Sequence, residues 1–306
     1  MTAVKRTALA IGVFDGVHIG HRRVIAAAVE AARAAGAVPA AMTFDPHPRQ
    51  VVRGEPVPLL QRLPDRIAAL RAAGAESVRV VPFTPELAAL PPTAFLASLL
   101  GGAEEIAAVC VGSRWRFGAG ASGSAGTLRQ AAAGGAFSAR IVPEAEDEDG
   151  RPVSSTAIRD RIAAADFDGA ACRLGRRFET VGVVEAGFQA ARRDLQCPTA
   201  NLGGLTCALP PDGVYAVRAC WRGVWYPAAA NLGFAPTYDR AGAQRRLEVH
   251  LLDFSGDLYG GELRIDWIGR LRPERRFASP ELLKEQIAAD VAAVRRLVPA
   301  GDGYDE

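Results

Sequence analysis

Apolar runs alternate with helix-period stretches through the first half of the chain. Ala8–Phe14 is an apolar run closed by Asp15-Gly16, the pattern of a buried strand and its turn. Residues 20–35 are Ala-rich with Val24, Ile25 and Val29 on one side, which predicts a helix, and Gly36 stands where its C-terminal cap belongs. Val38–Phe44 predicts a strand, residues 62–73 (Leu63, Ile67, Leu70) a helix and Ser77–Val81 a strand. Residues 92–100 then predict a helix, and Ile106–Val111 and Phe137–Val142 two more strands. Such alternation implies a parallel sheet with helices on both faces. Gly118–Gly126, rich in Gly, Ala and Ser, reads as a mobile loop, and Glu144–Arg151 as a solvated acidic turn.

After residue 175 the pattern changes. Thr180–Val184, Val214–Cys220, Val224–Ala230, Leu247–Leu252 and Leu263–Ile268 are short β-rich runs divided by Asp212-Gly213, Arg222-Gly223 and Ser255-Gly256. This spacing predicts a small antiparallel barrel. Residues 279–298 predict a closing helix, with Leu283, Ile287, Val291, Val294 and Leu297 at helical spacing and Ser279-Pro280 at its start. The reading is therefore two domains, 1–176 and 177–306.

Composition narrows the chemistry. A chain of 306 residues suits two domains at roughly 150 residues each. A net charge of +2 offers no bulk attraction to nucleic acid or to an anionic membrane. No apolar run reaches the ~18 residues of a membrane helix. Thr7–Phe14 is followed at once by Asp15, His18 and His21, which argues for a strand rather than a signal peptide. Five scattered cysteines (Cys110, Cys172, Cys197, Cys207, Cys220) form no CxxC pair, so reduced thiols in a cytoplasmic protein are expected. The chain has two lysines, Lys5 and Lys284, and neither lies in a GxxxxGK[ST] pattern, which excludes a P-loop. Of its four histidines, His18, His21 and His47 fall within 30 residues of one another.

The segment Gly12-Val13-Phe14-Asp15-Gly16-Val17-His18-Ile19-Gly20-His21 runs from strand through a glycine turn to a helix start. A helix N-terminus favours an anion, and histidines three apart can face one phosphate. Such a site can stabilise charge on an α-phosphate under attack. A metal pair would lack an evident third ligand. Farther on, hydroxyls and amides at the head of a helix in Ser154-Ser155-Thr156-Ala157-Ile158-Arg159, with a guanidinium, suit phosphate oxygens.

The run resembles the HxGH signature of the nucleotidyltransferase superfamily. In the form GxFDGxHxGH it is similar to the FMN adenylyltransferase module of bacterial bifunctional riboflavin kinase/FAD synthetases. Thr43–Pro48, Val111-Gly112 with Arg116-Phe117-Gly118, and Ser154–Arg159 are similar to three later segments of that module and follow in its order. The resemblance implies a Rossmann-like domain. It also implies nucleotide contacts at Gly12, Phe14, Asp15, Gly16, His18, His21, Ser155, Thr156 and Arg159, and flavin contacts at His47 and Phe117. Four positions depart from the family pattern: Arg114 stands where Asn or Asp is usual, Trp115 where Phe is usual, and Ala121 and Ser124 where Arg and Asp are usual.

In the second half, Thr199 and Asn201 of Cys197–Leu202 alternate along an extended segment, so both can point at one Mg²⁺–phosphate unit. Glu248 lies on one face of the alternating run Leu247–Phe254 and is a candidate base for a substrate hydroxyl. These motifs, with Gly213–Val217, Asn231–Gly233, Pro236-Thr237, Asp253–Gly260 and Leu271-Arg272, resemble the riboflavin kinase module. The resemblance makes Thr199 and Asn201 magnesium and nucleotide contacts. It makes Glu248 the base that activates the ribityl 5′-hydroxyl, in contact with the flavin substrate. Arg192, Gln196 and Ala235 depart from the family's flap and Arg-Pro-Thr patterns.

The implied function is phosphorylation of riboflavin by ATP and adenylylation of FMN to FAD, with Mg²⁺ as cofactor and no nucleic-acid or membrane partner. Two alternatives stand beside it. One is a divergent paralogue with another flavin or nucleotide, or with a single activity. The other is a non-catalytic flavin-binding protein, which would have no need of a base at 248. The sequence leaves the oligomeric state open.

Overall fold

The computed structural model describes residues 6–102, 105–185, 199–234 and 245–299. The flap positions Arg192, Gln196 and Cys197 and the positions Ala235, Pro236 and Thr237 lie outside the described residues. Two compact units divide the chain: Met1–Ala157 with Arg173–Gly175, and Ile158–Cys172 with Arg176–Glu306.

The elements of the first half, in chain order, are β1 (Arg6–Ile11), α1 (Ile19–Ala35), β2 (Val38–Asp45), α2 (Pro48–Arg53), α3 (Leu63–Ala72), β3 (Ser77–Pro82), α4 (Pro85–Ala89) and α5 (Pro92–Leu100). They continue with β4 (Glu105–Gly112), β5 (Arg116–Phe117), β6 (Gly123–Ser124), α6 (Ala125–Ala132), β7 (Ser138–Val142), α7 (Ser155–Ala163) and α8 (Phe167–Leu174). Five strands form one parallel sheet in the order β3-β2-β1-β4-β7. Its continuous apolar strands are those of a sheet buried on both faces. Ala8 and Ala10 of β1 pack with Val24, Ile25 and Ala28 of α1, while Leu9 and Ile11 join Phe95, Leu96 and Leu99 of α5 on the other side. Gly36 caps α1 at φ 60°.

Three sequence expectations change here. The first strand ends at Ile11 rather than Phe14, because Phe14 and Val17 adopt left-handed backbone that leaves the sheet. The Gly/Ala/Ser segment 118–126 is ordered structure: β5 pairs with β6, and Ser124 opens α6 in a reciprocal cap with Thr127. The acidic turn 144–151 is not wholly solvated. Asp147 accepts the backbone N–H groups of Asp149 and Arg151 and pairs with the buried Arg173.

The second unit holds β8 (Glu179–Glu185), β9 (Ala200–Gly203), β10 (Gly213–Trp221), β11 (Val224–Phe234), β12 (Arg245–Leu251), β13 (Glu262–Arg272) and α9 (Pro280–Leu297). The strands close into an antiparallel barrel in the order β10-β11-β12-β9-β8-β13. Closure removes free sheet edges. Trp267, fully buried, stacks with Phe167 at 5.7 Å, meets Tyr215 edge-on at 5.0 Å and donates its indole N–H to Thr180 Oγ1 at 2.8 Å. That geometry satisfies the one polar group of a large apolar ring. On α9, Val291 and Val294 pack against Ala216, Ala229 and Leu252 of the barrel. Leu297, expected on that face, is exposed, and the buried Val298 just past the helix end takes the place.

Candidate functional site

The chain leaves the carboxyl end of β1 next to β4, where the strand order reverses, and enters the loop 12–18. Crevices at such switch points are where open α/β sheets bind ligands. The loop is strained. Phe14 (φ 53°), Gly16 (φ 88°) and Val17 (φ 38°) all have left-handed backbone, an outlier for a β-branched valine. The surroundings hold it there. Thr43 Oγ1 donates to the Val13 carbonyl at 2.7 Å, and Arg66 Nη1 donates to the same oxygen at 3.3 Å. Asp15 Oδ1 accepts the backbone N–H groups of Leu60 (2.8 Å) and Gln61 (3.2 Å). Ser155 Oγ donates to the Asp15 carbonyl at 2.8 Å, which fastens the head of α7 to the loop. Backbone strain persists only where neighbours over-determine it, and these bonds do so.

His18 and His21 are brought together. His18 is the N-cap of α1, and its Nδ1 accepts the backbone N–H of His21 at 3.2 Å. With Nδ1 as acceptor, a neutral His18 carries its hydrogen on Nε2 and is a donor there. The two rings stack at 3.5 Å and 16°, with Phe14 edge-on to His21 at 5.2 Å. A Cβ on Gly20 would lie 3.2 Å from Cε1 and Nδ1 of His18, so the glycine makes room for that ring to fold back over the helix end. Burial, reinforced by His18 and then by Arg66, holds the His21 imidazole well below its ordinary range and therefore neutral. Its Nδ1 is buried without a hydrogen-bond partner. No acidic residue stands in the first turn of α1 or α7, as an anion site requires.

The other sequence candidates of this half take distinct places. The side chains of Phe14 and Asp15 are buried at 1% exposure each and turn into the protein, leaving their backbone to the loop. At Gly16 a Cβ would come within 2.8 Å of Leu60, and at Gly12 within 2.9 Å of Phe14, so both glycines serve packing inside the loop. Ser154 caps α7 through the Ala157 N–H at 3.2 Å; Thr156 is exposed and Arg159 half-buried on the same helix. His47 is buried and caps α2, its Nδ1 accepting the Arg49 N–H at 3.1 Å. Phe117 is buried against Phe95 beneath Trp115, whose indole stacks on it at 4.2 Å. Arg114 pairs with Glu144 at 2.7 Å with its side chain 68% exposed, so its charge is matched locally and screened.

In the second unit the barrel register aligns three side chains in one row. Glu248 of β12 faces Asn201 of β9 on one side and Asn231 of β11 on the other. Residues directly opposite in a sheet share a face. Here that face is the outer one, because Leu247 and Val249 fill the interior. Thr199, Asn231, Glu248 and His250 line a cavity of about 290 Å³, which Leu283 and Ile287 of α9 help to enclose. Asp290 of α9 accepts from Arg272 Nη2 at 2.8 Å and from Gln286 Nε2 at 2.7 Å, fixing the helix beside β13. A carboxylate beside a hydroxyl and two amides, in a partly apolar cavity, can take a proton from a bound alcohol and hold phosphate oxygens through a hard cation.

Three contributors escaped the sequence reading. Asn231 was noticed only as part of a motif, and Thr43 only as part of another. Arg66 belongs to no motif, but it sits between Leu63, Ile67 and Leu70 on the inward phase of α3, and a cation on an apolar stripe is its signal. Among the described residues no group of three or more His, Cys, Asp or Glu could hold a metal by itself, and no helix is long and apolar enough to cross a membrane.

Comparison with known proteins bears on both sites. The FAD synthetase family model matches residues 1–157, and the riboflavin kinase model matches residues 174–298. The bifunctional riboflavin kinase/FMN adenylyltransferase of Pseudomonas fluorescens is 38% identical, over 94% of this chain and 91% of its own length. The proteins of the same description from Bacillus subtilis (strain 168) and Escherichia coli (strain K12) are each 35% identical, covering 93% and 94% of this chain and 90% and 91% of their own. A solved structure from Streptococcus pneumoniae, described as a macrolide-efflux protein, superposes with a TM-score of 0.83 at 30% identity, over 96% of this chain and 95% of that one.

Proposed function

Since the chain belongs to the family of bifunctional riboflavin kinase/FMN adenylyltransferases, we propose how its residues divide the work, with residues 1–176 making FAD and residues 177–306 making FMN. Both enzyme modules are present, which makes this an enzyme of flavin cofactor biosynthesis. The observation that carries the assignment is the pair of constellations: stacked His18 and His21 at a strained helix entry, and Glu248 between Asn201 and Asn231 at a cavity.

In the barrel, riboflavin lies in the cavity with its 5′-hydroxyl at Glu248. Glu248 takes the hydroxyl proton as the oxygen attacks the γ-phosphate of ATP, and ADP leaves. Thr199 and Asn201 offer a hydroxyl and an amide oxygen, a donor set that suits Mg²⁺ shared with nucleotide phosphates. Mg²⁺, when bound, neutralises phosphate charge. Asn231 orients the carboxylate.

In the first unit, a phosphate oxygen of FMN attacks the α-phosphorus of ATP, and pyrophosphate leaves. The Nε2–H of His18 and the heads of α1 and α7 are aimed at the oxygens that gain charge. His21 stays neutral and supports the His18 ring by stacking. Ser155 holds the head of α7 to the loop, and Thr156 reaches the nucleotide. His47 and the Trp115–Phe117 stack meet the flavin. The chain works in the cytoplasm on these small molecules, without nucleic acid.

The test incubates pure protein with riboflavin, ATP and Mg²⁺ and separates the flavins. The expected products are FMN, then FAD. Glu248→Gln should lower FMN formation by about 100-fold or more while leaving FMN-to-FAD conversion intact. His21→Ala should do the reverse. Parallel loss of both activities in either variant would contradict the division.

A further inference from the structure

Arg66 is 1% exposed, a cation sealed inside the first unit. Its Nη1 donates to the Val13 carbonyl at 3.3 Å and its Nη2 to the Phe44 carbonyl at 3.1 Å. The half-exposed Asp45 carboxylate is 3.7 Å away, and the Arg66 Nε has no partner. Burial lowers the guanidinium's pKa although Asp15 and Asp45 oppose the shift. Stability alone gives little reason for this arrangement. An apolar side chain of similar size would avoid the cost of taking a charge out of water.

What Arg66 does supply is a planar fork whose arms join two segments at the carboxyl edge of the sheet: Val13, two residues past the end of β1, and Phe44, the penultimate residue of β2. The Val13 carbonyl immediately precedes Phe14, the first of the left-handed residues 14, 16 and 17 that lead to His18. Thr43 grips the same oxygen from β2. Loss of the fork would leave one bond, from a rotatable hydroxyl, to hold that peptide. The fork also sets a positive charge behind His21.

The geometry points to Arg66 as a positioning residue for adenylyl transfer, fixing the 13–18 loop from behind so that the His18 donor and the α1 head stay aimed. This rests on the assignment of that loop to FAD formation. Arg66 touches neither substrate in this role, so its loss should act on turnover more than on nucleotide binding.

The test uses Arg66→Met and Arg66→Lys in the full chain, with FMN-to-FAD and riboflavin-to-FMN rates measured on the same preparations. Arg66→Met should lower kcat for FAD formation by about 10- to 100-fold, the scale of a misplacement near 1 Å. KM for ATP should move less than about threefold, and FMN formation should stay within about twofold. Arg66→Lys, which keeps the charge and can reach one carbonyl, should recover part of kcat. A kcat within threefold of wild type in Arg66→Met overturns the role. So does a rise in KM alone, or a Lys variant no better than Met. Should Arg66→Met lose both activities by unfolding, Arg66→Lys decides: reduced kcat with normal FMN formation supports the role, and wild-type kcat overturns it. Wild-type protein that makes FMN but no FAD would instead overturn the assignment of the loop.

Discussion

Gly20→Ala separates the stability of the HxGH turn from its chemistry. The new Cβ would lie 3.2 Å from Cε1 and Nδ1 of His18 and 3.5 Å from the Ala145 Cβ. Relief of the tighter contact moves the ring outward by roughly 0.5 Å, to an ordinary carbon–carbon separation. The cap bond from the His21 N–H is already 3.2 Å long, so the same shift breaks it. A lost N-cap costs about 1 kcal/mol. Alanine in place of glycine within a helix returns up to about 1 kcal/mol. The two nearly cancel, and the melting temperature should stay within roughly 3 °C of wild type. Catalysis has no such compensation, because a displaced ring carries its Nε2 donor off target. The expected loss in kcat for FAD formation is about 10- to 100-fold. FMN formation, read in the same tube, should be unchanged. FAD formation within twofold of wild type would refute the claim that the glycine exists to seat His18. A large fall in melting temperature with both activities lost would refute the energetic balance.

Two further outcomes follow from the charge arrangement. Arg114→Asn should change FAD formation by less than about threefold, since an exposed pair with Glu144 is worth about 0–1 kcal/mol; a tenfold change would show that the cation reaches the substrate. Asp266, 1% exposed beneath Arg218, has its carboxyl pushed up to about 6 by burial, against the pull of Arg218 and Arg177. The folded chain then binds that proton more tightly than the unfolded chain, so this group's contribution to stability is full at low pH and falls as pH rises from about 4 to about 6. Urea unfolding should therefore show wild type losing about 2 kcal/mol relative to Asp266→Asn between pH 4.5 and pH 7, at 1.36 kcal/mol per pKa unit. A difference that stays constant with pH would contradict the buried titration.

Patterning revealed the elements whose burial repeats over several residues. Apolar runs such as Leu9–Ile11 and Val109–Val111 are strands because both faces of their sheet are covered. The short helices α2, α4 and α6 span five to eight residues, too few for a stripe to repeat. Their signal lay in their caps, His47, Thr84 and Ser124. The acidic run around Asp147 misled because composition reports charge and not partners, and Arg173 lies 26 residues away in sequence. At the sites, motif spacing named His18, His21, Thr199, Asn201 and Glu248. Strand register then brought Asn231 beside Glu248, a relation across 17 positions that no local spacing encodes. Arg66 is hidden for the opposite reason: Leu63, Ile67 and Leu70 already complete an apolar stripe without it.

The path of the chain between the two units bears on how such a gene can be cut. Residues 158–172 belong with the barrel, while Arg173–Gly175 return to the first unit. A fragment begun at residue 177 would omit Phe167, whose ring covers Trp267 and meets Tyr215 at 5.9 Å. A fragment ended at 157 would omit Arg173, the buried partner of Asp147. No single scission hands each half its complete set of contacts. Separation of this protein into independent enzymes, by an engineer or by gene fission, would require the short stretch from 158 to 175 to be kept in both pieces.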